Sequence, residues 1–191
     1  MKPSRLASQP RRQALKAGAA WGALAMLPVG SAMAISAPPT ELLQALPQAR
    51  LQGSSRFRHF GFHVYDAQLW VLPGFDAARV FAQPFALSLI YARRLKAADI
   101  AERSVTEMRR QATISDADAA RWLKAMTTAF ADVRDGDRLT GLYQVGGGAS
   151  FFFNGQATQT IADPLFAKLF FGIWLSPATS APALRQELLG V

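Results

Sequence analysis

The fold is decided by residues 138–161, which read RLTGLYQVGGGASFFFNGQATQTI. Two turn signals, Gly146-Gly147-Gly148 and Asn154-Gly155, divide this stretch into three runs rich in β-forming residues. An Asn-Gly pair favours a tight hairpin because both central residues of a type I′ turn need a positive φ. We therefore predict three consecutive antiparallel strands at 138–145, 149–153 and 156–161.

Three further strands are predicted on the N-terminal side of this meander, at 50–58, 60–72 and 86–91. The second of them alternates in polarity, which is typical of a half-buried strand. This alternation places Phe60, Phe62, Val64 and Asp66 on one face, and Gly61, His63, Tyr65, Ala67 and Leu69 on the other.

Helical patterns fill the remaining chain, at 97–111, 115–130 and 164–174, with short helices at 41–46 and 182–189. Ser115 and Asp163 are typical N-cap residues, and Pro164 follows at the first helical position. The order of strands, helices, strands and a helix favours an α+β fold rather than a doubly wound parallel sheet. We expect an antiparallel sheet with helices packed on one face.

Residues 1–34 have the layout of an export signal. A basic start is followed by the apolar stretch Ala17–Val29 and the small-x-small triplet Ala32-Met33-Ala34. The pair Arg11-Arg12 favours the twin-arginine type, and an ordinary Sec signal is the alternative. We expect cleavage near Ala34 and a periplasmic protein that consists of a single domain, residues 35–191.

The charge of the chain is concentrated in this signal. The full sequence has a net charge of +8, and its first 34 residues carry five basic residues and no acidic ones. Residues 35–191 contain 16 Lys and Arg and 13 Asp and Glu, which gives them a net charge of +3. We therefore expect no nucleic-acid partner. No later apolar stretch reaches the roughly 18 residues of a membrane span, so we expect no stable membrane insertion after signal cleavage.

Several classes of chemistry are unsupported by the sequence. The absence of cysteine excludes disulfides, thiolate nucleophiles and Cys-ligated metals. His59 and His63, four residues apart on a strand, would be about 13 Å apart, too far to share a metal ion. The arginine doublets, including Arg93-Arg94, are interpreted as solvated element ends that could help bind acidic ligands. We expect no metal and no cofactor.

The mature chain resembles the bacterial exported branch of the chalcone isomerase-like family. The resemblance is carried by Gly53–Val71 (GSSRFRHFGFHVYDAQLWV), Ser115-Asp116 with Arg121-Trp122-Leu123, Gly136–Leu139, Phe151–Gly155, Asp163-Pro164 with Phe166, and Phe171–Ser176. It implies an open-faced β-sandwich, in which an antiparallel sheet has a layer of helices against one face. Plant members that are enzymes close a chalcone to a flavanone with a strand Arg and with Thr, Tyr and Asn, whereas related plant proteins bind fatty acids with Arg and Tyr.

The enzyme residues of the family are not reproduced when the strand motif is aligned in register. Tyr65 stands where the enzymes carry Thr, and the strand Arg falls at Phe57, between Arg56 and Arg58. A bulge between Gly53 and Phe60 would turn either arginine inward, since a shift of one residue reverses the face of a side chain. Arg103 stands where the enzymes carry Asn.

The resemblance therefore predicts a binding protein for a small apolar or amphipathic molecule, either a fatty acid or a flavonoid-like compound. The ligand would lie between sheet and helices, with Arg56 or Arg58, Tyr65 and Arg103 around its carboxylate or phenolate. Arginine suits this role because its planar guanidinium pairs with a carboxylate through two hydrogen bonds. The alternatives are an isomerase or intramolecular lyase that stabilises an enolate with Arg and Tyr, and an interaction protein whose interior is filled by phenylalanine side chains.

Overall fold

The computed structural model describes residues 37–191 and contains a single six-stranded antiparallel sheet. The strands follow the chain in space, in the order β1 to β6. Their bounds are Arg50–His59 (β1), Phe62–Val71 (β2), Phe85–Tyr91 (β3), Arg138–Gln144 (β4), Gly148–Phe153 (β5) and Gln156–Ile161 (β6). The expected α+β architecture is confirmed.

Within residues 37–191, five α-helices accompany the sheet. They are Leu42–Ala45 (α1), Ala97–Met108 (α2), Asp116–Ala129 (α3), Pro164–Leu175 (α4) and Pro182–Leu189 (α5). The Ser115 hydroxyl accepts a hydrogen bond from the Asp118 amide at 3.1 Å, and Asp163 caps α4 through the Phe166 amide at 3.0 Å. Both caps confirm the predicted helix starts. A short 3-10 segment at Ala77–Ala82 was not anticipated from the sequence.

The larger hydrophobic core lies between one face of the sheet, here called the inner face, and helices α2 to α5. Alternate residues of β2 and β3, among them Leu69 and Leu87, meet the apolar side chains of α4 there. Helix α5 packs so closely on β1 that a Cβ at Gly53 would lie 2.2 Å from the Glu187 carbonyl oxygen. The backbone contact therefore requires glycine at this position.

The opposite, outer face of the sheet carries a smaller core. Leu42 and Leu46 of the α1 region pack there against Trp70. The Glu41 carboxylate lies beside them, with one oxygen 3.0 Å from Arg138 Nη2 and the other accepting a hydrogen bond from the Thr140 hydroxyl. The segment that follows the predicted signal is therefore tied to the centre of the sheet.

Two features of the first hairpin differ from the sequence prediction. Phe60 and Gly61 form a two-residue turn with φ of 48° and 81°, so β2 begins at Phe62 rather than at Phe60. In the pairing of β1 with β2, Phe57 faces Tyr65 but Arg58 faces His63, so Val64 is an extra residue that forms a bulge. The bulge places His63 on the outer face with Asp66, although strict alternation predicted the inner face.

The described residues, 37–191, belong to one compact unit, which contains the sheet and both cores. Within the described part of the chain, no helix is both long and apolar enough to cross a membrane. The predicted signal and its cleavage near Ala34 lie outside the described residues.

Candidate functional site

A cavity of about 270 Å³ lies between the inner face of the sheet and the helices α2 and α4. Its wall is mainly apolar, and its polar groups are few. A second, much smaller void adjoins it on the core side, and Leu89, Leu139, Phe170 and Trp174 line both spaces. The cavity therefore has an apolar deep end, as binding sites for small organic molecules commonly do.

Charged and polar residues gather at the solvent side of the cavity. His59, Arg93, Asp99, Arg103 and Ser180 line it and are all exposed. A ligand that enters from solvent would therefore pass a polar rim before it reaches the apolar interior. This arrangement fits an amphipathic molecule whose polar group stays near the rim.

Tyr65 lies on the inner face of β2 and projects into the cavity. Its ring is stacked on Phe57 at a centroid distance of 5.0 Å and meets the edge of Tyr91 at 5.9 Å. The indole Nε1 of Trp174 donates a hydrogen bond to the Tyr65 hydroxyl oxygen at 2.9 Å. Because the indole N–H can only donate, the phenol proton is left to donate to another acceptor.

The phenol of Tyr65 stays protonated at neutral pH. Burial raises its pKa well above the ordinary value, and the nearby Glu107 carboxylate acts in the same direction, while the Trp174 hydrogen bond and Arg103 oppose both. Burial likewise raises the pKa of Tyr91, on the neighbouring strand. Both phenols are consequently neutral hydrogen-bond donors rather than phenolates.

Arg103 and Glu107 are one turn apart on α2, and both line the cavity. Arg103 Nη2 lies 2.6 Å from Glu107 Oε1, and Arg110 Nε lies 3.6 Å from the other carboxylate oxygen. Glu107 is buried although Arg103 is exposed. The carboxylate therefore fixes one edge of the Arg103 guanidinium against the wall, and a guanidinium has further N–H donors to offer a ligand.

Of the four predicted ligand-binding residues, the structure brings Tyr65 and Arg103 to the cavity and leaves Arg56 and Arg58 outside its lining. Arg56 pairs with Asp66 on the outer face, through Nε–Oδ1 and Nη2–Oδ2 contacts of 2.7 and 3.1 Å. Arg58 reaches the Gly61 carbonyl at 3.4 Å. The expected inward position of either arginine is thus corrected.

Arg56 and Arg58 lie on the outer face because of where the two bulges of this hairpin occur. The extra residues are Gln52 in β1 and Val64 in β2, whereas β1 alternates regularly from Gly53 to His59. Regular alternation places Phe57 and His59 on the inner face of the sheet. It places Arg56 and Arg58 on the outer face. The bulge that would have turned an arginine inward does not occur in that part of β1.

Two residues of the site, Trp174 and Glu107, were not anticipated as functional from the sequence. Trp174 belongs to an almost wholly apolar helix, where an indole is ordinarily a core residue. The spacing of Arg103 and Glu107 by four residues on a helix was the available signal, since such pairs meet on one helix face. Nothing local indicated that this face borders a cavity.

The phenylalanines of Phe151–Phe153 do not line the main cavity. Phe151 is buried in the larger core, and Phe152 packs against the smaller core on the outer face. Because they alternate along the strand, both faces of the sheet are covered at β5. In the described chain, no group of three or more His, Cys, Asp or Glu residues could hold a metal ion.

Comparison with known proteins places these features in a family context. A family model described as chalcone isomerase-like matches residues 41–190. An uncharacterized protein from Haemophilus influenzae is 28% identical over 148 residues, which cover 76% of this chain and 71% of that protein. A fatty-acid binding protein from Arabidopsis thaliana has a crystal structure that matches with a TM-score of 0.57 at 12% identity, over 75% of this chain and 87% of that one. At such low identity, the structural match concerns the fold alone.

Proposed function

Because the chain belongs to the chalcone isomerase-like family and contains an apolar cavity with a polar rim, we propose that it is a non-catalytic binding protein for a small amphipathic molecule. The polar group of the ligand, a carboxylate in the favoured case, accepts hydrogen bonds from Tyr65 and Arg103. Its apolar part points toward Leu89, Leu139 and Phe170.

The observation that carries the proposal is the hydrogen bond from Trp174 Nε1 to the Tyr65 hydroxyl. It occupies the acceptor side of the phenol and leaves a neutral O–H donor in the cavity. A ligand group that only accepts, such as a carboxylate, is the complementary partner. The positive charge of Arg103 adds attraction, although Glu107 offsets part of it.

The size of the cavity limits the ligand. A volume of about 270 Å³ leaves room for several carbon atoms of a ligand, since a water molecule takes up about 30 Å³ in the liquid. We therefore take a medium-chain fatty acid as the first probe. A longer chain or a flavonoid-like compound would extend toward the polar rim or into the small void behind Phe170.

The fatty-acid ligand is supported by the fold shared with the Arabidopsis fatty-acid binding protein. The enzymatic alternative lacks the constellation of the plant enzymes, because Phe57 occupies the expected strand-arginine position on the inner face. The periplasmic location and membership of the exported branch are part of the proposal, and they rest on the signal-like sequence of residues 1–34.

Titration calorimetry of the delipidated unit 35–191 tests the proposal, with octanoate, decanoate, palmitate, the methyl ester of decanoate and a chalcone as probes. We expect decanoate to bind and its methyl ester to bind more weakly, because the ester lacks the charge. Tyr65→Phe and Arg103→Gln should each weaken decanoate binding about tenfold or more, as expected for a lost hydrogen bond to a charged group.

Two variants serve as matched controls. Tyr143→Phe removes a phenol that donates to the Phe81 carbonyl rather than to the cavity, and Arg109→Gln removes an arginine of the α2 end that pairs with Asp116. Both should bind decanoate like the parent. The absence of heat and of any shift in melting temperature with every probe would refute the proposal. Chalcone absorbance that decays above the uncatalysed rate would favour the isomerase instead.

A further inference from the structure

The tip of the β1–β2 hairpin exposes two aromatic side chains to solvent. Phe60 is 87% exposed and Phe62 is 66% exposed, although both are large and apolar. Phe60 lies in the turn itself, and Phe62 is the first residue of β2. We define the hairpin tip as residues 58–62 together with Arg93 and Arg94.

Phe60 is also unfavourable for the backbone at its position. The turn Phe60-Gly61 has φ of 48° and 81°, and the turn Asn154-Gly155 of the β5–β6 hairpin has nearly the same values, 49° and 85°. The second turn uses Asn, which tolerates the left-handed conformation, whereas a bulky aromatic residue there is strained. The chain thus keeps an exposed aromatic residue where a polar one would fit the turn better.

Basic groups lie close to this part of the hairpin. The Arg93 guanidinium carbon lies 5.7 Å from the centre of the Phe62 ring, and Arg58 Nη1 approaches the Gly61 carbonyl at 3.4 Å. Arg94 is exposed next to Arg93. The nearby carboxylate of Asp66 is engaged by Arg56 and His63 and lies on the outer face. The tip therefore combines apolar area with positive charge.

The hairpin tip adjoins the mouth of the cavity. His59 and Arg93 belong to the tip and also line the cavity, together with the bulged residue Val64. The His59 and Phe60 rings are 4.3 Å apart between their centres. A surface that binds the tip would consequently face the cavity opening.

We propose that the hairpin tip docks on an anionic lipid bilayer surface and holds the cavity mouth against it. Phe60 and Phe62 enter the interfacial region, where aromatic side chains gain apolar contact, and the arginines interact with acidic headgroups. The function of this docking, the passage of an amphipathic ligand between bilayer and cavity, rests on the binding role proposed above. The docking itself does not require that role.

Vesicle cosedimentation of the unit 35–191 tests the docking, without any added ligand. One vesicle preparation is pure phosphatidylcholine, and the other is an equimolar mixture of phosphatidylglycerol and phosphatidylcholine. We expect binding to the anionic vesicles and a loss of that binding at high salt. Each arginine near an anionic surface contributes about fivefold in affinity.

Phe60→Ser/Phe62→Ser should lower the affinity for anionic vesicles by about tenfold or more. Its matched control is Val145→Ser/Leu165→Ser, which changes two exposed apolar residues outside the tip, 54% and 55% exposed, and should bind like the parent.

The contribution of the tip arginines is tested with the same vesicles and a second pair of variants. Arg93→Gln/Arg94→Gln should lose at least tenfold in affinity, whereas Arg50→Gln/Arg79→Gln should retain it. The two control arginines are exposed and lie toward the opposite end of the sheet from the tip, because Arg50 pairs with Val71 at the far end of β2 and Arg79 follows that strand. Both double variants remove the same net charge, so only its location differs.

Equal vesicle binding by the parent and both tip variants would overturn the proposal. A change in oligomeric state of Phe60→Ser/Phe62→Ser in sedimentation velocity, without a change in vesicle binding, would also overturn it and assign the tip to contacts between copies of the chain. Decanoate binding in solution separates the two proposals, because Phe60 and Phe62 do not line the cavity and their variant should bind decanoate normally.

Discussion

Replacing Tyr65 by Phe should destabilise the protein even in the absence of ligand. The substitution removes the only hydrogen-bond acceptor shown for Trp174 Nε1 among the described residues, 2.9 Å away, while it keeps the ring that stacks on Phe57. Trp174 is buried, with 7% of its surface exposed. A buried donor without its partner costs about 1–3 kcal/mol. We expect a loss of about 1–2 kcal/mol in the free energy of unfolding, because the adjoining cavity can admit water to the indole.

Urea denaturation at neutral pH measures this loss, and thermal melting should fall by about 2–8 °C for a domain of this size. The double variant Tyr65→Phe/Trp174→Phe completes a mutant cycle. Because the two side chains are in direct contact, we expect an interaction free energy of about 1 kcal/mol. An interaction free energy near zero would refute the reasoning, since it would show that the hydrogen bond does not contribute.

The same phenol makes a pH prediction with a definite sign. Burial raises the folded-state pKa of Tyr65 above that of an unfolded tyrosine, about 10. The contribution of Tyr65 to the free energy of unfolding is therefore fully present below pH 10. It is lost as pH rises further, because this tyrosine then ionises in the unfolded chain but not in the folded protein. Tyr65→Phe should lose stability less steeply above pH 10 than the parent. Tyr91 will retain part of the dependence in both proteins.

Two further predictions concern the outer face of the sheet. Glu41→Gln should lower the free energy of unfolding by about 1–3 kcal/mol, as measured by urea denaturation. The reason is that the Glu41 side chain is 1% exposed and pairs with the partly exposed Arg138. An unchanged unfolding midpoint would contradict this prediction. The hydrogen bond from Arg56 lowers the pKa of Asp66, so its contribution is present above about pH 4 and is lost as pH falls below that value. Asp66→Asn should therefore differ from the parent in the free energy of unfolding at pH 7 by less than about 1 kcal/mol, as for exposed pairs. This difference should shrink as pH falls below about 4. A difference that grows toward low pH would reverse the assigned sign.

The secondary structure could be predicted closely because its signals are local. Each signal involves only residues that are near one another in the chain. Examples are the Asn154-Gly155 pair, the caps at Ser115 and Asp163, and the periodicity of α3. The 3-10 segment at Ala77–Ala82 was not predicted. The Asp76 carboxylate caps it by accepting a hydrogen bond from the Ala78 amide. An aspartate makes the same kind of bond in ordinary loops, so it does not by itself indicate a helix.

The candidate site could be predicted only in part. The structure places Tyr65 and Arg103 in the cavity lining, where their contact with a ligand stays a prediction, whereas Arg56 and Arg58 lie outside the lining. The first pair follows from positions along the chain that the family resemblance assigns. The second depended on a bulge, and the position of a bulge is set by how β1 pairs with β2 rather than by either strand alone.

The sequence alone determined the order of elements, the antiparallel sheet and the family resemblance, because hydrophobic periodicity and turn chemistry are properties of adjacent residues. Only the tertiary structure decided which side chains meet. Trp174 and Tyr65 are 109 residues apart in the chain and become hydrogen-bonded because α4 packs on the inner face of β2. Strand side chains alternate with a period of two, so one bulged residue at Val64 reverses the face of His63. Such contacts arise from non-local pairing and packing, which no local pattern contains.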